Sequence, residues 1–285
     1  MDHARGPVAL VLGGGGILGA SEVGMLRALL EAGVVPDLVV GTSVGAINGA
    51  LVAADPTRAA VDRLTHLWTE ATRAGVFTES WWRRAARVAR LGTHLHSGDA
   101  LRDLLAEHLP DCGIEELPVH FECVAARIET ASAHWFDSGP LVDAVLASCA
   151  VPGLLPAVTI DGGHYLDGGL VHSIPIARAL SLGAREVYVL QVGRIEHPLE
   201  APRRAWEVGV VAFEIARRHR FNEELASVPA SVAVHVLPTG VDSSPSFSLR
   251  YRGSDMVRER IEGAYAAARD YLGARLPEPN AGGRS

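Results

Sequence analysis

A short apolar strand that runs directly into glycines limits the folds open to this chain more than any other feature. Residues Val8–Leu12 are all apolar, and glycines fill positions 13–16. Apolar residues at helical spacing follow over residues 20–32, and a second apolar strand at 38–41 precedes helical residues 44–54. Short continuous apolar runs are typical of strands buried on both faces of a parallel sheet. This strand–helix–strand–helix order predicts an α/β fold built on a mainly parallel sheet.

The rest of the chain continues the alternation of helices and strands. Apolar periodicity predicts helices at residues 56–73, 81–90, 100–108, 141–148, 174–182, 204–225 and 255–272. Strands are predicted at 119–126, 132–136, 186–192 and 231–237, with a hairpin over 158–166 that turns at Asp161, Gly162 and Gly163. No internal repeat or interdomain linker is visible. We therefore predict a single domain over residues 1–276, with its motif-bearing core at 8–192, and a disordered tail at 277–285.

The composition and the cysteines argue against several classes of protein. The 285 residues are 48% hydrophobic and 21% charged, as in ordinary globular proteins, and the formal net charge of −7 disfavours nucleic acid as a partner. The three cysteines, Cys112, Cys123 and Cys149, have an odd count and no C-x-x-C spacing. This pattern predicts neither a disulfide framework nor a zinc site, and it favours a reducing, cytoplasmic location.

The sequence shows no targeting or membrane-spanning pattern. The first residues lack a cationic start followed by an apolar run, which a signal peptide would have. The longest apolar stretch, residues 34–54, is interrupted by Pro36, Asp37 and Asn48. We therefore expect a soluble protein without a transmembrane segment.

The glycine loop fits a nucleotide-binding pattern only superficially. Gly14, Gly16 and Gly19 match the G-x-G-x-x-G spacing of dinucleotide-binding proteins. That fingerprint also requires an acidic residue at the end of the second strand, and here the second strand runs into G-T-S-V-G at 41–45. A phosphate loop would need a Gly-Lys-Ser/Thr sequence, which is missing. No nucleotide cofactor is predicted.

The sequence G-T-S-V-G has the form and the context of a nucleophile elbow. Ser43 lies between a predicted strand and a predicted helix, with Gly41 and Gly45 two residues to either side. Glycines at these positions let the strand and the helix pass closely, and the start of the helix directs its positive dipole end towards the serine. An ordinary turn is the alternative, since glycine and serine are common turn residues.

Parallel strands bring the glycine loop to the same edge of the sheet as Ser43. The backbone amides predicted to form an oxyanion hole there are those of Gly14, Gly15 and Gly16. A serine nucleophile also needs a base, and Asp167, followed by Gly168 and Gly169, comes directly after an apolar run. A second Asp-Gly-Gly begins at Asp161, but it lies between two strand-like runs and is predicted to be the hairpin turn.

Several motifs occur in a fixed order: the glycine loop at 13–19, G-T-S-V-G at 41–45, A-S-C-A-V-P-G at 147–153 and D-G-G at 167–169. Together they resemble the patatin-like phospholipase family over about residues 8–182. The resemblance implies a three-layer α/β sandwich and hydrolysis of acyl esters in lipids without a metal or a cofactor. Leu18 departs from many members of that family, which carry Arg or Lys before the last glycine of the loop.

The same resemblance implies a Ser–Asp dyad, with Ser43 as the nucleophile and Asp167 as its base. The residues implied to support these motifs are Gly19, Gly41, Gly45, Gly168 and Gly169. A triad would need a histidine after the acid, for which His172, His197, His219 and His235 are available; we favour surface or loop positions for them. His94 and His96 lack a carboxylate at ligand spacing and are interpreted as loop residues.

Two other functions remain open at this point. An acyltransferase could use the same dyad, although malonyl-type transferases usually have histidine where Thr42 precedes the serine. A lipid-binding protein without catalysis is the other alternative. Residues 81–90 and 203–220 combine tryptophan with arginine, a composition that allows transient contact with a membrane surface; an amphipathic surface helix is the interpretation we favour for both. The sequence does not indicate an oligomeric state.

Overall fold

The structure is a computed structural model that describes residues 6–73, 98–192, 198–203, 205–240 and 254–275. Its strands are β1 Val8–Leu12, β2 Leu38–Thr42, β3 His120–Arg127, β4 Ser132–Phe136, β5 Val158–Ile160, β6 Gly163–Asp167, β7 Glu186–Leu190 and β8 Ala233–Val236. Its α-helices are α1 Ala20–Glu31, α2 Val44–Ala54, α3 Arg58–Arg73, α4 Asp99–His108, α5 Leu141–Ser148, α6 Ile176–Ser181, α7 Ala205–Ala226 and α8 Ser254–Gly273. Every strand and helix that the sequence predicts within these residues is present. The predicted helix at 81–90 and the predicted tail at 277–285 lie outside the described residues.

The eight described strands form one sheet with a parallel centre. Strands β3, β2, β1, β7 and β8 are neighbours in this order and pair in parallel. Strand β3 also pairs antiparallel with β4 and with β6, and β5 pairs antiparallel with β6. The prediction of an α/β fold with a mainly parallel sheet is therefore confirmed.

Helices cover both faces of the sheet and make three layers. Leu10 and Leu12 of β1 belong to a hydrophobic core that also contains side chains of α1 to α5 and of α8. Ala9 and Val11, which point to the opposite face, belong to a second core with side chains of α6 and α7. Because successive side chains of a strand alternate between faces, a buried parallel strand must be apolar throughout, as β1 is.

The hairpin between β5 and β6 turns where the sequence predicts it. Asp161 has φ of 48° and Gly162 has φ of 75°, so two successive residues adopt the left-handed conformation. Tight turns of this kind match the twist of the flanking strands, and aspartate followed by glycine is a favoured pair for them. The first Asp-Gly-Gly is therefore a turn, and the second one follows at the end of β6.

Helix α8 packs across α1 at very short range. A methyl group added at Gly24 of α1 would overlap the carbonyl oxygen of Ile261 and would lie 2.7 Å from the amide nitrogen of Tyr265, both in α8. Around this crossing, Arg27 contacts Glu262 at 3.0 Å, and the Tyr265 hydroxyl donates to Glu31 at 2.6 Å. Glycine at position 24 thus sets the distance between the two helices.

We expect Gly24→Ala to lower the free energy of unfolding by about 1–3 kcal/mol, since the methyl group forces two backbones apart. Gly263→Ala, in α8, is the matched control because its methyl group would meet only an ordinary contact at 3.6 Å. It should stabilise the helix by up to about 1 kcal/mol. Urea denaturation of both variants tests this, and equal destabilisation by the two would contradict the close crossing.

Candidate active site

Ser43 lies at the turn between β2 and α2 in an unusual backbone conformation. Its φ of 54° and ψ of −122° are rare for a residue with a side chain. The turn is tight because the helix crosses close to the neighbouring strand: a methyl group at Gly45 would overlap the carbonyl oxygen of Leu12. One at Gly41 would lie 2.6 Å from the α-carbon of Ala46. The conformation lifts the Ser43 side chain above the edge of the sheet, as in a nucleophile elbow.

The Ser43 hydroxyl donates a hydrogen bond to Oδ2 of Asp167 over 2.6 Å. Strand β3 brings the two together, since Thr42 pairs with Val124 and Asp167 pairs with Ala125, the next residue. Both side chains are nearly buried, with 6% and 7% of their surfaces exposed. The two residues that the sequence singles out, 124 positions apart, are therefore in direct contact.

Hydrogen bonds with backbone groups hold Asp167 in place. Its second oxygen, Oδ1, accepts the amide hydrogen of Gly169 at 2.7 Å, and its own amide donates to the carbonyl of Ala150 at 2.9 Å. Gly168 packs so closely that a methyl group there would overlap the carbonyl oxygen of Val124. Burial raises the pKa of Asp167 to about 6, although the hydrogen bonds from Ser43 and Gly169 oppose that shift.

The glycine loop lies beside Ser43, but its amides are not equivalent. A methyl group at Gly14 would lie 3.5 Å from the β-carbon of Ser43. The Gly14 amide, however, donates to the carbonyl of Ser173 at 2.9 Å, and its role as an oxyanion donor stays a prediction. Within the described part of the chain, the amides of Gly15 and Gly16 have no backbone acceptor. These two remain open to a ligand.

Several residues to which the sequence motifs give no role hold the site together. The hydroxyl of Ser148 accepts the amide hydrogen of Ser43 at 2.9 Å, and the hydroxyl of Thr42 donates to the carbonyl of His172 at 2.7 Å. Cys149 is buried beside them, and burial together with the charge of Asp167 raises the pKa of its thiol. The motif at 147–153 is visible in the sequence, but motif spacing does not reveal which backbone group each residue meets.

The described histidines do not form a triad with Ser43. The Nδ1 atom of His172 lies 3.1 Å from Oε1 of Glu224, and its ring packs against Trp135. His219 pairs with Glu223 at the surface, and His235 stacks on Tyr188. His197 lies outside the described residues, as do His94 and His96. The Ser43 hydroxyl instead donates directly to Asp167.

Behind the glycine loop lies a buried polar chain that the sequence did not predict. The side-chain amide of Asn48 donates to Oε2 of Glu22 at 2.7 Å and to the carbonyl of Gly19 at 3.0 Å, and it accepts from the indole of Trp68 at 2.9 Å. The second carboxyl oxygen of Glu22 is buried without a hydrogen-bond partner in the described residues. Burial raises the pKa of Glu22 well above its ordinary value, although the hydrogen bond from Asn48 opposes that shift.

The raised pKa of Glu22 fixes the sign of its contribution to the dependence of stability on pH. A raised folded-state pKa means that the folded protein binds more protons than the unfolded one above pH 4.5, the ordinary pKa of glutamate. Stability from Glu22 is therefore complete below that pH and is lost as pH rises towards the raised pKa, by about 1.4 kcal/mol for each pH unit between the two pKa values. In Glu22→Gln this loss should vanish. Denaturant unfolding across pH measures this loss, with Glu107→Gln at an exposed position of α4 as the control. A Glu22→Gln curve parallel to the wild type would contradict a raised pKa of Glu22.

A groove opens next to Asp167, between α7 and the segment that follows β6. We call it the Asp167 groove, and its lining includes Leu170, Ile174, Phe221, Arg217 and Arg220. Arg217 is buried and forms an ion pair with Glu214 at 2.8 Å. Along the same helix, Val208 and Ile215 are exposed apolar side chains. No helix among the described residues is long and apolar enough to cross a membrane.

Comparison with known proteins extends these observations. A family model described as patatin-like phospholipase matches residues 10–180. A patatin-like phospholipase domain-containing protein from Caenorhabditis elegans is 35% identical over 195 residues, which are 66% of this chain and 14% of that protein. The lysophospholipase nte1 of Emericella nidulans is 32% identical over 189 residues, which are 66% of this chain and 12% of that protein. The chain thus spans a small part of the length of these relatives.

Two solved structures were also compared with this chain. The crystal structure of VipD from Legionella pneumophila has a TM-score of 0.44 and 15% identity, and the match covers 94% of this chain and 67% of VipD. ExoU from Pseudomonas aeruginosa, in its complex with SpcU, has a TM-score of 0.43 and 16% identity, and the match covers 95% of this chain and 52% of the other.

Proposed function

The chain belongs to the patatin-like phospholipase family, and from that premise we propose that it hydrolyses acyl esters of lipids through an acyl-serine intermediate. The observation that carries this proposal is the hydrogen bond of 2.6 Å from Ser43 to Asp167, on a serine held in a left-handed turn. A serine in contact with a base is the minimum that covalent acyl transfer requires. Asp167 acts directly on Ser43, without a histidine between them.

In the first step, the oxygen of Ser43 attacks the carbonyl carbon of the ester, and its proton passes to Oδ2 of Asp167. The raised pKa of about 6 makes Asp167 a stronger base than an ordinary aspartate, yet leaves it ionised at neutral pH. The bond from Gly169 to Oδ1 keeps the carboxylate in place while Oδ2 takes the proton. Ser148 holds the backbone of Ser43, so that the hydroxyl alone moves.

The attack puts a negative charge on the former carbonyl oxygen. We assign its stabilisation to the amides of Gly15 and Gly16, since the amide of Gly14 is engaged by Ser173. The hydrogen bond from Gly14 to Ser173 then holds the glycine loop in position. Donors that are already oriented are worth about 3–4 kcal/mol each in acyl transfer, because no reorganisation is needed as the charge develops.

The intermediate collapses when Asp167 returns its proton to the leaving alcohol, which leaves the acyl group on Ser43. A water molecule then gives its proton to Asp167 and attacks the acyl carbon, and the Ser43 oxygen leaves with that proton. The fatty acid and the free enzyme result. Each half of the cycle uses Asp167 once as a base and once as an acid.

Lysophospholipids are the first substrates to test. Relatives that match this chain are named lysophospholipases. An acyltransferase would use the same steps with an alcohol or an amine in place of water, so product analysis with a competing acceptor distinguishes the two reactions.

We expect Ser43→Ala to abolish hydrolysis of a short acyl ester and of a lysophospholipid. Asp167→Asn should lower kcat by about 10²–10⁴-fold, the usual contribution of a general base. Labelling by a fluorophosphonate probe should be lost in Ser43→Ala and slowed in Asp167→Asn. The measurement is steady-state kinetics, with circular dichroism to verify folding.

The chain contains its own matched control for the aspartate. Asp161 also precedes two glycines, lies exposed at the hairpin turn and has φ of 48°, a conformation that asparagine tolerates. Asp161→Asn should therefore keep wild-type kinetics. Near-native turnover in Asp167→Asn would overturn the dyad, whatever the result at Asp161.

The pH profile provides an independent test of the base. Asp167 accepts a proton only when ionised, so kcat/KM should rise with pH through about 6 and level off above it, falling about tenfold per pH unit below. Asp167→Asn should lose this acid limb. His172→Gln should retain it, and its loss there would assign the base to the histidine.

A further inference from the structure

A second cluster of polar side chains lies on different elements from Ser43 and Asp167. It contains His66 and Glu70 of α3 and His108, the last residue of α4, which we call the α3–α4 cluster. One ligand atom from each residue lies within 4.8 Å of the other two. The proposed hydrolysis does not use any of the three.

The cluster follows from simple helix geometry. His66 and Glu70 are four residues apart and so share one face of α3, with Nδ1 of His66 3.4 Å from Oε2 of Glu70. The end of α4 brings Nε2 of His108 to within 2.8 Å of the same oxygen. The side chain of His108 is nearly buried, at 9% exposed, while that of His66 is 66% exposed. One edge of the cluster is thus open to ions and water.

We propose that the α3–α4 cluster binds a divalent transition-metal ion, with Zn²⁺ as the first candidate. Two imidazoles and one carboxylate are a ligand set that zinc accepts, with water in the fourth position. Bonds of about 2.0–2.1 Å in a tetrahedral site place neighbouring ligand atoms about 3.3 Å apart. The two nitrogens lie 2.8 and 3.4 Å from Oε2 of Glu70, close to that spacing, and within 4.8 Å of each other, so binding would draw the imidazoles together.

The arrangement resembles a metal site in that nitrogens of two imidazoles lie near one carboxylate oxygen, Oε2 of Glu70. Without an ion, that oxygen can accept an N–H from each histidine. In the described part of the chain, the ion-pair partners recorded for Glu70 are these two histidines, and none is an arginine. A metal ion would use the nitrogen lone pairs instead and would neutralise the carboxylate directly.

The ion would link His108 at the end of α4 to His66 and Glu70 in the middle of α3. Trp68 lies between His66 and Glu70 in sequence, and its indole donates to Asn48 at 2.9 Å, behind the glycine loop. Metal binding should therefore stabilise the helix that supports this loop. Since none of the three ligands contacts Ser43 or Asp167 in the described structure, the role is structural.

The test is calorimetric titration of ZnCl₂ into chelator-treated full-length chain. We expect one Zn²⁺ per chain with micromolar affinity, a higher unfolding temperature with zinc, and intense Co²⁺ absorption bands typical of low coordination numbers. His66→Ala and Glu70→Gln should each weaken binding at least about 10–100-fold, the loss that even outer-sphere changes cause. Because His66 is mostly exposed, its variant should fold normally.

The matched control is His219→Ala. His219 and Glu223 repeat the four-residue spacing on α7, at 3.3 Å, and no third ligand joins them in the described residues. That variant should bind zinc as the wild type does. Unchanged affinity in both His66→Ala and His108→Ala would overturn the proposal, as would a site lost only on replacing His94 and His96.

Discussion

The left-handed backbone of Ser43 is the constraint on which the rest of the site depends. A side-chain-bearing residue in such a conformation costs about 1–3 kcal/mol and persists only when its surroundings enforce it. Here β2 fixes the chain before the turn, α2 fixes it afterwards, and Ser148 binds the amide between them. Glycines at 41 and 45 are required because the crossing leaves no room for a methyl group. The cost is local, but it is offset by contacts from several parts of the chain.

Two carboxyls of the structure, Asp167 and Glu22, are buried, and burial raises the pKa of each. Asp167 receives one donor on each oxygen, and these bonds oppose the effect of burial, so that it ionises with a pKa of about 6. Glu22 accepts a hydrogen bond from Asn48, but burial prevails and raises its pKa well above the ordinary value. Burial and hydrogen bonding thus act in opposite directions on both carboxyls, and their balance sets each pKa.

Much of this arrangement follows from the sequence because it is local. The first four elements, the hairpin turn at Asp161 and the elbow at Ser43 depend on residues within a few positions of each other. The engagement of the Gly14 amide by Ser173, the contact between Glu22 and Asn48, and the α3–α4 cluster depend on residues 26 to 159 positions apart. Periodicity shows which face of a helix is buried, but it does not show which carbonyl or carboxylate meets that face.

The segment after β6 connects the three parts of the site. The amide of Gly169 holds the carboxylate of Asp167, the carbonyl of His172 holds Thr42 before Ser43, and the carbonyl of Ser173 holds Gly14 in the glycine loop. Five residues of backbone thus contact Asp167, the turn at Ser43 and the glycine loop. A shift of this segment would displace all three at once. A change in the distance from Ser43 to Asp167 would therefore be accompanied by a change in the direction of the loop amides. The close approach of Gly168 to Val124 sets the position at which this segment begins, directly after Asp167.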